Sequence, residues 1–398
     1  MDEQVCYPRV KNIGLRGIPV ADTKISYIDG IKGELQYRGF RIEDLAEYST
    51  YEEVAHLLIA GQLPSKQELA EFDARLRAER AVPEAVLAAL VHRPATANPM
   101  DVLQGTVPML ADHDPDLSKT SREAVRRQSE RLIARLPAVV AAWKRIRAGE
   151  KPVPPRADLS HAANFLYMLR GEEPPADEAR IVDVCLILHG DHTFNASTFA
   201  AREVASTHAH LYASVAAAVG ALSGELHGGA NEKVMRMLME IGQPEKAAAY
   251  VKGKLDAGEK IMGLGHAVYK TLDPRAPILM KLAVGLSAKT GQAFWIDIAE
   301  RVREAAQSEF KARKGAEIYP NVDFYSAATY YQLGIETDFF TPVFALGRIA
   351  GWCAHVIEEK FAEAQEKPEL YRPEASYVGD YCGPQGCAWV PLQDREAP

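Results

Sequence analysis

Only one stretch of this chain alternates like a strand pair. Ile25-Ser-Tyr-Ile, Asp29-Gly30 and Glu34-Leu-Gln-Tyr read as a small β-hairpin about a turn signal. Beyond it the punctuation is that of helices, which leaves an all-α fold. Arg38-Gly39-Phe40 leads into a helix through Ile42, Leu45 and Tyr48, and Thr50-Tyr51-Glu52-Glu53 and Ser65-Lys66-Gln67-Glu68 open the next two as capping boxes. Further helices are expected from Pro83 to His92, from Met100 to Ala111 after Asn98-Pro99, and from about Ser118 to Ala148. They resume after the proline-rich connector at Lys151, at Ser160 to Leu169 and Ala176 to Leu188. Later ones are expected at Pro277 to Ser287, Trp295 to Lys314 and Phe324 to Leu333, and Thr341-Pro342 reads as an N-cap with proline at the first helical position. The helix from Tyr212 has small side chains and is apolar nearly all round, so it belongs inside the fold or against another subunit.

At 398 residues the chain is long enough to bury a full core and to divide into two lobes. A net charge of −8 argues against nucleic-acid or anionic-membrane partners, so an anionic ligand must be held by local arginines. The acidic start Met1-Asp2-Glu3-Gln4 carries no leader signal, and no uncharged apolar run reaches the roughly 18 residues a membrane span needs, so a cytoplasmic protein is expected. Five cysteines, an odd number, suggest reduced thiols. Cys382 and Cys387 are spaced for a small loop or a metal pair, but with no histidine nearby they read as bystanders.

Chemistry concentrates between Leu222 and Arg275. Two glycine-flanked histidine turns stand there, Leu226-His227-Gly228-Gly229 and Gly263-Leu264-Gly265-His266, followed by Asp273-Pro274-Arg275. Glycine-flanked histidines alone mark loops. A histidine at a helix start, however, meets unpaired N–H groups and the positive end of the dipole, which keeps it neutral. A neutral imidazole that donates a hydrogen bond is suited to holding an enol or enolate oxygen. Elsewhere, His189 and His192 flank an aspartate and invite a metal reading, yet no further ligands stand at zinc spacing. Phe344 and Arg348 share a helix face beside Ile349, Trp352 and Cys353, so the guanidinium is partly buried and needs a carboxylate. Asp323 by itself reads as a helix cap.

Taken together, Leu188-His189-Gly-Asp-His192-Thr-Phe-Asn195-Ala-Ser-Thr, Leu226-His227-Gly-Gly-Ala-Asn-Glu, Gly263-Leu-Gly-His266 through Asp273-Pro-Arg275, Pro320-Asn-Val-Asp323-Phe-Tyr-Ser and Phe344-Ala-Leu-Gly-Arg348 resemble the motifs of the citrate synthase family, in order and over nearly the full length. The resemblance implies a two-domain multihelical fold with a small domain at 222–326, a large domain at 1–221 and 327–398, and a homodimer. It implies condensation of acetyl-CoA with oxaloacetate, then hydrolysis to citrate and CoA, with no cofactor and no metal. His227 would hold the thioester oxygen, His266 the oxaloacetate keto oxygen, and Asp323 would take the methyl proton. His189, Arg275 and Arg348 would bind oxaloacetate with Phe344 walling the pocket, Asn195 orienting His189 and Arg372 arriving from the partner subunit. Ile261, Met262, Gly263, Leu264, Gly265 and Asn321 would line the CoA path, with Lys270 meeting a phosphate.

This chain has Ala267 where many bacterial members carry arginine, and Ala327 where they carry glycine; changed CoA contacts or domain closure are expected rather than lost activity. It begins near the hairpin, without the extra N-terminal domain of NADH-inhibited hexameric members, which favours a simple dimer. The nearest rival is 2-methylcitrate synthase, which uses propionyl-CoA; a dicarboxylate sensor and a metal hydrolase built on His189, Asp191 and His192 are more distant.

Overall fold

The computed structural model describes residues 14–395 apart from 16 and 382. The hairpin forms as expected: β1 (Ser26–Asp29) pairs antiparallel with β2 (Glu34–Tyr37), Ser26 opposite Tyr37 and Asp29 opposite Glu34. A third short strand, β3 (Phe40–Arg41), pairs with β2, so the helix expected from this point begins only at Ile42. The rest of the described chain is helices and their connections. The Ser65 capping box is complete, its hydroxyl accepting from the Glu68 N–H and the Glu68 carboxylate accepting from the Ser65 N–H.

The fold is built around the helix Phe340–Lys360, buried from Phe340 through Glu359. It is long and apolar enough to cross a membrane, yet it lies wholly inside the protein. Helices Tyr51–Ala60, Arg122–Arg147, Ala176–His189, Ala196–Ser206 and Leu211–Leu222 pack around it. Two glycines one turn apart set its closest approach. A Cβ on Gly347 would stand 2.7 Å from the Leu186 carbonyl oxygen and one on Gly351 2.4 Å from that of Gly190. Any side chain there would push Arg348 away from the loop that follows His189. Thr341 is not the N-cap; it lies inside this helix and its hydroxyl donates to the Gly228 carbonyl at 3.1 Å.

The core also holds charge. Arg202, fully buried, pairs with Glu358 at 2.7 Å and Glu359 at 2.6 Å. Leaving either acid unpaired would cost several kcal/mol, on the order of 3–5. Helix Leu211–Leu222 buries Leu211, Tyr212, Val215, Ala218 and Val219, leaving Ala213, Ala216, Ala217, Gly220 and Ala221 half-buried as a stripe of small residues. Cys185 and Cys353 are free and buried, their thiols pushed up to about 12 by burial. Cys387 is disulfide-bonded, so the expectation of reduced thiols fails in the tail; Cys382 lies outside the described residues.

Candidate active site

Helix Ala176–His189 ends where the site begins. His189 is fully buried, and its Nδ1–H donates to the Cys185 carbonyl at 2.7 Å. That bond fixes the tautomer, leaving a buried Nε2 with no partner among the described residues. Burial, and then the positive charges of Arg275 and Arg348, lower its pKa to about 3. The ring meets Phe344 edge-on at 4.5 Å. Arg348, 1% exposed, donates from Nε to the His189 carbonyl at 2.7 Å and lies over Phe344 at 4.8 Å, while its Nη1 has no partner among the described residues. Burial pulls this guanidinium down to about 10. A buried donor left open in this way is a seat for a carboxylate.

Arg275 is also buried, but Asp273 already engages it in a fork, at 2.9 and 2.8 Å. The same carboxylate accepts the N–H of Val322 at 3.2 Å, which ties the Asp273-Pro-Arg275 turn to the start of helix Val322–Gln332 and thus to Asp323. A second tie is a short bridge between Leu264 and Pro320, with Asn321 N–H donating to Gly263 and its Nδ2 to Gly265 at 2.9 Å. Gly263, at φ 76, allows this contact; a Cβ there would meet the Phe324 ring at 2.8 Å. The His266 turn and the Asp323 helix are therefore one unit.

His227 and His266 are each held by main-chain donors, on opposite ring nitrogens. Nε2 of His227 accepts the N–H of Ser197 at 3.2 Å, and the Ser197 hydroxyl, itself fixed by the Trp352 indole at 3.1 Å, stands 2.9 Å from the same nitrogen. Ser197 lies in the first turn of helix Ala196–Ser206, whose amides are unpaired within the helix. Nδ1 of His266 accepts the N–H groups of Val268 and Tyr269, at 2.9 and 3.2 Å. A ring nitrogen that accepts from an amide carries no proton, so each ring is a neutral donor, through Nδ1–H in His227 and Nε2–H in His266. Burial is the main cause holding both pKa values at about 4, with Arg348 adding to it for His227 and Arg275 for His266. The helix-start argument holds for His227, but the helix is Ala196–Ser206 and not its own, which begins at Ala230.

Asp323 is half-buried, and desolvation raises its carboxyl to about 7 against the opposing pull of Arg275 and Arg348. Fully buried His192 feels Arg275, His266, Arg348 and His227, which places these groups around one centre. Its Nε2 lies 3.3 Å from the Tyr269 hydroxyl, and its ring 5.3 Å from that of His266.

A cavity of about 840 Å³ opens beside His227, lined by the turn 261–265 and Asn321. Lys233, Lys260, Arg313 and Lys314 also border it. None of these four stands out in the sequence, where they fall in three separate segments of ordinary charged composition. Lys270 is exposed and outside this lining. Asn195 does not reach His189; its Oδ1 caps helix Ala196–Ser206 by accepting from Thr198 at 3.1 Å and lies 2.8 Å from the Ser197 hydroxyl that supports His227. Arg372 is exposed on the tail and is not among the residues that line this cavity. Among the described residues no cluster of three or more His, Cys, Asp or Glu side chains is arranged to hold a metal ion.

A model of the family described as citrate synthase, C-terminal domain, matches residues 14–374. The chain belongs to the citrate synthase family. A citrate synthase of Deinococcus radiodurans is 44% identical over 383 residues, 96% of this chain and 98% of that one. The crystal structure of citrate synthase from Pyrobaculum aerophilum matches with a TM-score of 0.88 at 41% identity, over 96% of this chain and 95% of that chain. A ternary complex of carboxymethyl coenzyme A and oxaloacetate with citrate synthase from Thermoplasma acidophilum matches at TM-score 0.87 and 31% identity, covering 95% and 98%. Within the same family a 2-methylcitrate synthase of Mycobacterium tuberculosis is 40% identical over 372 residues, 94% of this chain and 91% of that one.

Proposed function

We propose that this citrate synthase family member condenses acetyl-CoA with oxaloacetate and hydrolyses the resulting thioester to citrate and CoA. The observation that carries the reading is the pair of imidazoles fixed by main-chain amides as neutral donors, together with a carboxyl raised to about 7 that shares Arg275 and Arg348 with them. Asp323 takes a proton from the acetyl methyl while His227 Nδ1–H holds the thioester oxygen, so charge is met as it forms. The enol carbon then attacks the keto carbon of oxaloacetate, His266 Nε2–H hydrogen-bonds the new alkoxide, and the proton that Asp323 took from the methyl is returned to that oxygen, so both side chains end as they began. Water cleaves the thioester and CoA leaves as the thiol. Arg348 and His189 receive the carboxylates with Arg275, and the cavity of about 840 Å³ takes the pantetheine arm and phosphates.

Segment 222–326 acts as the smaller lobe, closing on the rest when oxaloacetate binds. A homodimer is supported by the half-buried small-residue stripe on helix Leu211–Leu222 and by the exposed Arg372, which serves the partner's cleft. The assay is CoA thiol release from oxaloacetate with acetyl-CoA or propionyl-CoA, with and without EDTA. Acetyl-CoA turnover unchanged by chelator is expected. Faster turnover of propionyl-CoA makes this a 2-methylcitrate synthase, a reading favoured by the mycobacterial relative; one methylene is worth only about 1–3 kcal/mol of discrimination. Absence of thiol release with either substrate sinks both.

A further inference from the structure

The hairpin is the sequence-legible element that the reaction scheme leaves unused. Its turn is well held: Asp29 Oδ1 accepts the N–H groups of Ile31 and Lys32, both at 2.9 Å. The Gly30 carbonyl accepts the N–H of Lys270 at 2.7 Å, four residues beyond His266. Three consecutive amides are thus committed, those of Val268 and Tyr269 to the His266 imidazole and that of Lys270 to the hairpin. The peptide joining Val268 to Tyr269 serves both sides. Its N–H holds the His266 ring, and its C=O lies so close to Gly30 that a Cβ there would stand 2.4 Å from the oxygen and 3.0 Å from the carbon. A second contact point is Gly33, where a Cβ would be 2.8 Å from the Leu272 carbonyl oxygen. Gly33 has φ +73 and would be glycine for that reason alone, whereas Gly30 is not among the positive-φ glycines. At Gly30 the close approach is the whole reason for glycine.

We propose that the hairpin turn is a positioning element for the reaction: Gly30 braces the Val268–Tyr269 peptide, and that peptide aims the His266 Nε2–H at the keto oxygen. The proposal rests on His266 being the keto donor. A methyl at Gly30 moves the peptide by a few tenths of an ångström or more and swings the ring with it. Arg348 and His189 lie on other helices, and Arg275 is held in place by the Asp273 fork, so binding of the substrate carboxylates changes little.

The test reads the bound keto carbon of [2-13C]oxaloacetate by NMR together with kcat and KM. In Gly30→Ala the resonance moves back toward the free value, kcat falls about 10- to 100-fold, and KM for oxaloacetate stays within about threefold. Ile31→Ala, at the exposed tip, matches wild type in all three. Asp29→Ala loosens the turn without adding an atom and shows the same signature more weakly; it decides the matter if Gly30→Ala does not fold. A folded Gly30→Ala with wild-type resonance and kcat overturns the proposal. His266→Ala separates the two layers: if it keeps the wild-type resonance, the keto-donor assignment itself is wrong, and if it loses it while Gly30→Ala does not, only the hairpin's role fails.

Discussion

Replacing Asp323 with asparagine is expected to abolish condensation and, at neutral and higher pH, to stabilise the protein. The carboxyl rises from an ordinary 3.8 to about 7 on folding, because desolvation outweighs Arg275 and Arg348. A group whose folded value lies above its unfolded value binds its proton more tightly in the native state. The contribution of this one group is therefore most favourable below about pH 4, falls as pH climbs through the interval between the two values, and stays reduced above about 7. The gap corresponds to roughly 4 kcal/mol at pH 8, more than half of which accrues between pH 5 and pH 8. The side chain is only half-buried, so solvent screening lowers this, and a pH-dependent gain of about 1–2 kcal/mol is the expectation. The substituted amide keeps the shape of the side chain and carries no charge; the N–H at this position still donates to the Asn321 side chain, so the helix cap survives. The measurement is denaturant unfolding of both proteins at pH 5 and pH 8. The difference between them should widen with pH. A variant no more stable than wild type at pH 8, or a gap that narrows as pH rises, refutes the raised carboxyl and with it the account of how a carboxylate becomes a competent base.

Two further outcomes follow from the same geometry. The Nδ1–H of His189 is committed to the Cys185 carbonyl, so its buried Nε2 can meet a carboxylate only by gaining a proton; oxaloacetate binding at pH 8 should take up about one proton, read by calorimetry in buffers of different ionisation enthalpy, and no uptake would remove His189 from the substrate contacts. Arg372→Ala and His227→Ala should each be inactive alone, yet mixed and re-equilibrated they should recover about a quarter of wild-type activity through hybrid dimers with one intact site, whereas no recovery means Arg372 serves its own subunit or none.

Helix starts are legible in the sequence because caps are local. Ser65 and Glu68 satisfy each other across one turn, and nothing outside that turn is needed to read them. Thr341 defeats the same reading because its hydroxyl is drawn to Gly228, far away in the chain, while the preceding turn Thr337–Phe339 runs on into the helix. β3 is two residues long, too short for any period to register. Sequence proximity puts Asn195 beside His189, yet the helix start it caps competes for its side chain and wins. The basic rim of the cavity, Lys233, Lys260 and Lys314, comes from three separate segments that only the tertiary fold assembles.

The cation balance of the cleft explains why a dicarboxylate suits it. Arg275 has its own counter-ion in Asp273, at 2.8 Å, so its charge is compensated before any ligand arrives. The acid that acts most strongly on Arg348 is Asp191, with Asp323 weaker, but the Asp191 carboxylate is already bound by Ser26, the Thr193 N–H and His355. Arg348 is thus left with a buried, unpartnered Nη1 and a pKa drawn down to about 10. Beside it stand three neutral imidazoles, His189, His192 and His227, none of which offers an anion. A buried cation without a partner is costly, and a ligand carboxylate that relieves it gains that energy on binding. Burial keeps His227 neutral, and the Arg348 charge adds to that by opposing its protonation. The unmatched cation that would seat a substrate carboxylate is therefore also one of the causes, after burial, that keep the imidazole a donor.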